Sequence, residues 1–228
     1  MICIPVVAAT NEEAMKQMDK CFPLADVVEL RIDFIRNVNL GKLLSAKNGK
    51  ILVTARKKDE GGSFKGDEKE RLSLLSKAVT LKADFIDIEL STDDTFTKKL
   101  LEDIKKYGDR TKLIISHHDF NGTPSYRELQ NIFNECAGRG AHIAKIASFA
   151  NSAEDNLKIL KLISYAKKTN RKIIALCMGE KGRISRIMAP YFGSYLSFAS
   201  LEKGAESAPG QLTIEEMREI FRILKDEE

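Results

Sequence analysis

No cysteine in this chain has a second one close by: Cys3, Cys21, Cys136 and Cys177 are far apart, with no CxxC pair and no spacing that suits zinc. Reduced thiols in a core are the expectation. No apolar run reaches membrane-spanning length, and Met-Ile-Cys-Ile-Pro-Val-Val at the start lacks the basic opening and long apolar stretch of a secretory leader. The expected location is therefore the cytoplasm, with no membrane partner. Charge of one sign is not in excess either, since 37 Lys and Arg face 33 Asp and Glu, a net +4 spread along the chain. That argues against nucleic acid as a partner and leaves a small anionic substrate open. No Pro/Gly/Ser-rich linker, low-complexity tract or short repeat interrupts the sequence. With 228 residues and 43% hydrophobic content, the chain reads as one domain over 1–228.

Short apolar runs recur at Ile2–Val7, Val27–Ile32, Ile51–Thr54, Phe85–Glu89, Leu113–Ser116, Ile143–Ala147, Ile173–Met178 and Tyr195–Ser200. These eight are the candidate strands. Amphipathic stretches separate them, clearest at Glu12–Cys21, Glu68–Leu81, Thr95–Tyr107, Ser125–Cys136 and Ala153–Lys168, with Ile214–Leu224 closing the chain. Leu40–Ala46 is short and ambiguous. Asn11, Ser125 and Thr213 stand at N-cap positions, and Ser125 with Glu128 and Thr213 with Glu216 have capping-box spacing. Alternating strands and helices imply parallel strands joined by right-handed crossovers. Eight such units match an α/β fold of the (β/α)8 barrel type. An open doubly wound sheet is the alternative, but no glycine-rich phosphate fingerprint follows the first strand.

In a barrel, functional groups gather at the carboxyl ends of the strands. Unusual polar residues occupy those places here. Glu29 and Arg31 lie two apart on one face of the second strand; Thr54-Ala-Arg56 runs into Glu60-Gly-Gly62; Asp87 and Glu89 share a face of the fourth; the fifth ends Ser116-His117-His118-Asp119-Phe120. Met178-Gly179, Ser185-Arg186 and Ser207-Ala-Pro-Gly-Gln211 follow later. Lys145 sits inside the apolar run Ile143-Ala-Lys-Ile-Ala147, and two readings of it are open. One is an edge-strand lysine whose stem snorkels to water. The other is a lysine in apolar surroundings that loses its proton and attacks carbonyls. Glu29 with Arg31, or Asp87 with Arg56, equally read as internal ion pairs, and His118 as a cap or core histidine. His117, His118 and His142 make a poor metal set, because the first two are adjacent and point in different directions. Adjacent parallel strands lie about 4.8 Å apart, so His118 and Lys145 are within side-chain reach, with Asp87 expected to flank His118.

Taken together and in order, these motifs resemble the type I 3-dehydroquinate dehydratases of the shikimate pathway over nearly the whole chain. The resemblance rests on Glu29-Leu-Arg31-Ile-Asp33, Arg56 with Glu60-Gly-Gly62, Asp87-Ile-Glu89, His118-Asp-Phe120 with Thr123-Pro124, Lys145, Met178-Gly179, Ser185-Arg186 with Gly193-Ser194, and Ser207-Ala-Pro-Gly-Gln211. It implies a lyase that removes water from 3-dehydroquinate in a syn elimination, giving 3-dehydroshikimate through an imine on Lys145. By the same resemblance His118 is the general acid and base, Asp87 orients it, and Arg186 clamps the substrate carboxylate. Glu29, Arg31, Arg56 and Glu60 bind hydroxyls and shape the pocket, Ser207 and Gln211 lie on a mobile loop, and Met178 and Phe198 form apolar walls. No metal or other cofactor is implied, and the expected assembly is a homodimer. Two departures stand out: the extra amino-terminal hairpin of larger members is expected to be missing, and Pro5 stands where some members carry a small polar residue. Rival readings are a class I aldolase of the transaldolase type, using the same lysine on sugar phosphates, and a non-catalytic sugar-acid binding protein.

Overall fold

Eight parallel strands alternate with helices along the chain, and the strands form a ring in the order β7-β6-β5-β4-β3-β2-β1-β8. The computed structural model describes residues 1–224. The strands are β1 (Ile2–Val6), β2 (Val27–Arg31), β3 (Ile51–Thr54), β4 (Phe85–Glu89), β5 (Lys112–Asp119), β6 (Ile143–Phe149), β7 (Lys172–Met178) and β8 (Ser197–Phe198). The helices are α1 (Asn11–Cys21), α2 (Leu40–Ser45), α3 (Glu68–Thr80), α4 (Asp94–Lys106), α5 (Tyr126–Gly138), α6 (Asp155–Lys168), α7 (Arg183–Phe192) and α8 (Ile214–Leu224). Between β7 and β8 the ring is drawn together by the Tyr195 N–H, which donates to the Ile173 carbonyl at 2.7 Å. This is a (β/α)8 barrel, in which outward side chains such as Ile4, Leu30, Val53, Ile86 and Ile115 pack against the helices. Inward side chains including Cys3, Val27, Leu52, Phe85, Ile114, Ile143 and Ile174 fill the barrel.

Local chemistry explains most boundaries. Ser125 and Glu128 form a reciprocal capping box at α5, and the same exchange links Thr213 and Glu216 at α8. At α1 the cap is Thr10, whose hydroxyl accepts from the Glu13 N–H, so Asn11 is the first helical residue and not the cap. Asn11 instead ties α1 to the following loop through the Asn39 N–H and the Asn37 carbonyl. Leu40–Ser45, ambiguous as sequence, is a helix because the Asn39 side chain accepts from the Lys42 N–H.

One helix is hidden in the sequence. α7 contains Pro190 in its last turns, which removes the N–H that would bond the Arg186 carbonyl and breaks the usual pattern. That carbonyl is satisfied instead by the Ser197 hydroxyl at 2.7 Å, which pins α7 to β8. β5 also runs three residues beyond its apolar part, carrying His117 and His118 into the ladder opposite Ile146 and Ala147.

Candidate active site

Period-two alternation decides which residues meet inside the ring. Glu29, Thr54, Asp87, Glu89, Ser116, His118 and Lys145 share the inward face with the apolar residues of the floor but stand nearer the carboxyl ends of their strands. Of these, Glu29, His118 and Lys145 line one cavity with Arg31, Arg56, Glu60, Met178, Arg186, Phe198, Ser207 and Gln211, while Thr54, Asp87, Glu89 and Ser116 bond to residues of that lining.

Lys145 is 6% exposed, and its strand is paired on both sides by β5 and β7, which removes the edge-strand reading. Nζ is 3.1 Å from Asp87 Oδ2 and 3.8 Å from Glu29 Oε1, and lies 4.8 Å from the centre of the Phe198 ring. An apolar seat was the expectation; the amine instead faces two carboxylates and an aromatic ring.

The expected partnership of Asp87 with His118 is corrected. Asp87 Oδ2 pairs with Arg56 Nη2 at 2.8 Å as well as with Lys145, and Oδ1 accepts from the Ser116 hydroxyl at 2.6 Å. Burial by itself raises an aspartate, but Arg56 and Lys145 outweigh it and hold Asp87 below the ordinary carboxylate range. The register explains the correction: Asp87 is level with Ile114, four residues below His118. Glu60, arriving from the loop beyond β3, is level with His118. Its Oε2 is 3.0 Å from Nδ1 and also accepts the His118 backbone N–H at 3.1 Å. Burial raises the Glu60 carboxyl and pushes His118 well below the usual imidazole range, with the Arg56 and Lys145 charges adding to the second effect. These surroundings favour the neutral ring, and a neutral ring that gives Nδ1–H to Glu60 keeps Nε2 unprotonated.

Two arginines spend their forks on the protein. Arg31 is held by both oxygens of Asp33, at 2.9 and 2.7 Å, and Arg56 by Asp87, Glu89 and Ser116. Arg186 differs. It is 1% exposed, its Nη2 donates to the Pro209 carbonyl at 3.1 Å, and its Nε–H has no partner among the described residues. Burial lowers this guanidinium to about 10, and no carboxylate among the described residues offsets it. A buried cation with an open donor at a cavity is a seat for an anion.

Ser207 and Gln211 bond each other twice, the Gln211 side-chain amide donating to the Ser207 hydroxyl and the Ser207 N–H to the Gln211 side-chain carbonyl, and hold the turn that carries Ala208 and Pro209 over the cavity. Gly210 allows the turn to sit so low: its φ is +78°, and a Cβ there would lie 2.1 Å from the Gly179 carbonyl oxygen. Gly62 works similarly beneath Glu60, where a Cβ would meet the Arg56 carbonyl oxygen at 2.0 Å. The three histidines do not converge. His117 is registered with Ile146 on the outward face, and His142 accepts the Leu113 N–H at the foot of β6.

Several contributors had no role assigned from the sequence. Asp33, Glu89 and Ser116 stand inside the motifs, and period two places Glu89 and Ser116 on the inward face. Arg71 carried no such signal, because a charged residue in an amphipathic helix reads as a solvated one.

Comparison with known proteins follows the same lines. Residues 2–228 match the family model described as type I 3-dehydroquinase. A 3-dehydroquinate dehydratase of Methanocaldococcus jannaschii is 43% identical over 98% of this chain and 99% of its own length. One from Pyrococcus abyssi is 36% identical over 98% of both chains. Among solved structures, a 3-dehydroquinate dehydratase from Geobacillus kaustophilus superimposes with a TM-score of 0.89 at 29% identity, covering 98% of this chain and 90% of that one. A type I enzyme from Clostridium difficile, determined with covalently modified comenic acid, gives 0.88 at 28% identity over 98% and 91%.

Proposed function

Because the chain belongs to the type I 3-dehydroquinase family, whose members are hydro-lyases, we propose that it dehydrates 3-dehydroquinate through an imine on Lys145, with His118 moving the protons. The observation that carries this reading is the distribution of partners in the cavity. Arg31 and Arg56 are already paired with carboxylates, while Arg186 is buried with an open donor and Lys145 stands across the same cavity beside His118. A substrate with a carboxylate at one end and a ketone at the other completes both.

Lys145 passes a proton of its ammonium to His118 Nε2, the freed amine attacks the ketone carbon, and the carbinolamine loses its hydroxyl as water with that same proton, which returns His118 to the neutral form. The resulting iminium is cationic at the point where Asp87 and Glu29 face the nitrogen, so the carboxylates that hold the ammonium also stabilise the charge that replaces it. His118 Nε2 takes the C2 proton, and the electron pair moves toward nitrogen to give an enamine. The pair then returns to expel the C1 hydroxyl, which leaves as water with the proton His118 holds. Water hydrolyses the imine, releasing 3-dehydroshikimate and the amine. The iminium is the electron sink, so the sequence of steps calls on no cofactor. Glu60 fixes the imidazole with Nδ1–H outward and Nε2 inward, a tautomer suited to each transfer. Glu29 and Arg31 are placed to meet substrate hydroxyls, Met178 and Phe198 to wall the ring, and the Ser207–Gln211 turn to exclude water.

Borohydride added with 3-dehydroquinate tests the reading. A reduced adduct on the peptide containing Lys145 is expected, and an unmodified Lys145 with full turnover overturns it.

A further inference from the structure

The charges around Lys145 continue beyond the cavity wall. Asp87 shares its Oδ2 between Lys145 and Arg56; Arg56 Nη1 is 3.0 Å from Glu89 Oε1; and Glu89 Oε2 is 2.5 Å from Arg71 Nη1. Arg71 belongs to the first turns of α3, outside the strands, is 1% exposed and does not line the cavity. All five of its N–H donors are used. Nε and Nη2 hold Glu68 at 2.8 and 2.7 Å, Nη1 also reaches the Ala55 carbonyl, and Nη2 reaches the Thr92 hydroxyl. Lys145, Asp87, Arg56, Glu89 and Arg71 thus alternate in sign through the top of the barrel. A saturated, buried fork at the end of such a chain fixes where every charge in it rests.

We propose that Arg71 is a positioning residue for imine formation: by holding Glu89 it frees Arg56 to neutralise Asp87, and so sets how readily the Lys145 ammonium yields its proton to become the attacking amine. The proposal rests on the reading of Lys145 as the imine-forming residue. With Arg71 present, the buried carboxylates Glu29, Asp87 and Glu89 face three cations, Arg56, Arg71 and Lys145. Without it, one negative charge is left over, Arg56 is drawn toward Glu89, and Asp87 grips the ammonium harder. Glu68 does not share this fate, because it is one-third exposed and keeps Lys57 at 3.3 Å.

Arg71 makes no direct bond to any group that faces the amine. Facing it are Glu29 from β2, Asp87 from β4, His118 from β5 and the Phe198 ring from β8, with Cys3 on β1 nearby. Arg31, Glu60 and Arg186 line the same cavity, and none of the bonds of Arg71 reaches any of these residues.

The test is the pH dependence of borohydride-trapped imine, measured in single turnovers with 3-dehydroquinate on the full chain. Arg71→Met is expected to move the acid limb to higher pH by about one unit, as a lost unit charge in a partly buried network does, with up to about tenfold slower trapping at pH 7 and KM unchanged. Arg71→Lys, which keeps the charge, stays near the wild-type limb. Glu89→Gln in the Arg71→Met background removes the leftover charge and returns the limb toward its original position. Should Arg71→Met fail to fold, Glu89→Gln alone carries the test, and its limb moves to lower pH. A limb that stays in place, or a rate lowered equally at every pH, overturns the proposal and leaves Arg71 a merely structural residue. A wild-type protein that traps no adduct on Lys145 refutes the Lys145 reading instead, and is distinguished by needing no variant.

Discussion

Glu60 holds His118 at two points with one oxygen, accepting the backbone N–H at 3.1 Å and lying 3.0 Å from ring Nδ1. Backbone and ring are therefore fixed together, and the free nitrogen has one direction to face. Glu60→Gln keeps the shape but offers a neutral amide that can also donate, so the tautomer is no longer imposed. The expected result is a fall in kcat of about 10²-fold or more, within the range of a lost general acid and base, with borohydride labelling of Lys145 retained. A kcat within twofold of wild type would take Glu60 out of this role.

Arg186 invites a test in which function and stability part company. Its guanidinium is buried with an open Nε–H and, among the described residues, no counter-charge, an arrangement that costs the unliganded protein stability. Arg186→Met should raise KM for 3-dehydroquinate by roughly 10- to 100-fold, the loss of one or two charge-assisted bonds. The unliganded Tm should hold or rise. Arg186→Lys should not restore KM, since a point charge cannot give a two-pronged bond to a carboxylate. A Tm several degrees lower with an unchanged KM would show the residue to be structural.

Much of this site was legible before the fold was known, and particular residues show why. Period two alone places Glu29 with Arg31, Asp87 with Glu89 and Ser116 with His118 on shared faces, and a buried strand with one lysine is conspicuous. Which carboxylate meets which base was not legible. Asp87 and Glu60 are both acidic residues near strand ends, and only register, with Asp87 level with Ile114, separates their depths. α7 was obscured by Pro190, whose missing bond is made good by Ser197, a residue eleven positions from the carbonyl it serves. Arg71 was invisible because its partners, Glu89 and Thr92, come from another strand and loop.

The turn over the cavity depends on one glycine. Gly210→Ala introduces a Cβ 2.1 Å from the Gly179 carbonyl oxygen at a φ of +78°, so the turn must lift and the Gly179 N–H loses the Pro209 carbonyl. Ser207 and Gln211 move with it. Steady-state kinetics should show KM raised severalfold or more, whereas Tm should change little because the segment is largely outside the core. Unaltered kinetics would show that the turn takes no part in holding substrate.

His118 offers a pH signature whose sign follows from its surroundings. Burial foremost, then the charges of Arg56, Lys145 and Arg31, depress its basicity well below the usual imidazole range. In the unfolded chain the same ring titrates near 6.5, so below that pH the unfolded state binds a proton the folded state refuses. Stability contributed by keeping this ring neutral is complete above about pH 6.5 and is lost as pH falls below it. Nitrogen-15 chemical shifts should report a neutral His118 ring with its proton on Nδ1 at pH 6, where exposed histidines are already charging. The urea midpoint should decline between pH 6.5 and 5, and His118→Gln, which has no proton to gain, should flatten part of that decline. A ring that titrates near 6.5 in the folded protein would mean that burial and the neighbouring cations do not hold it in the neutral form.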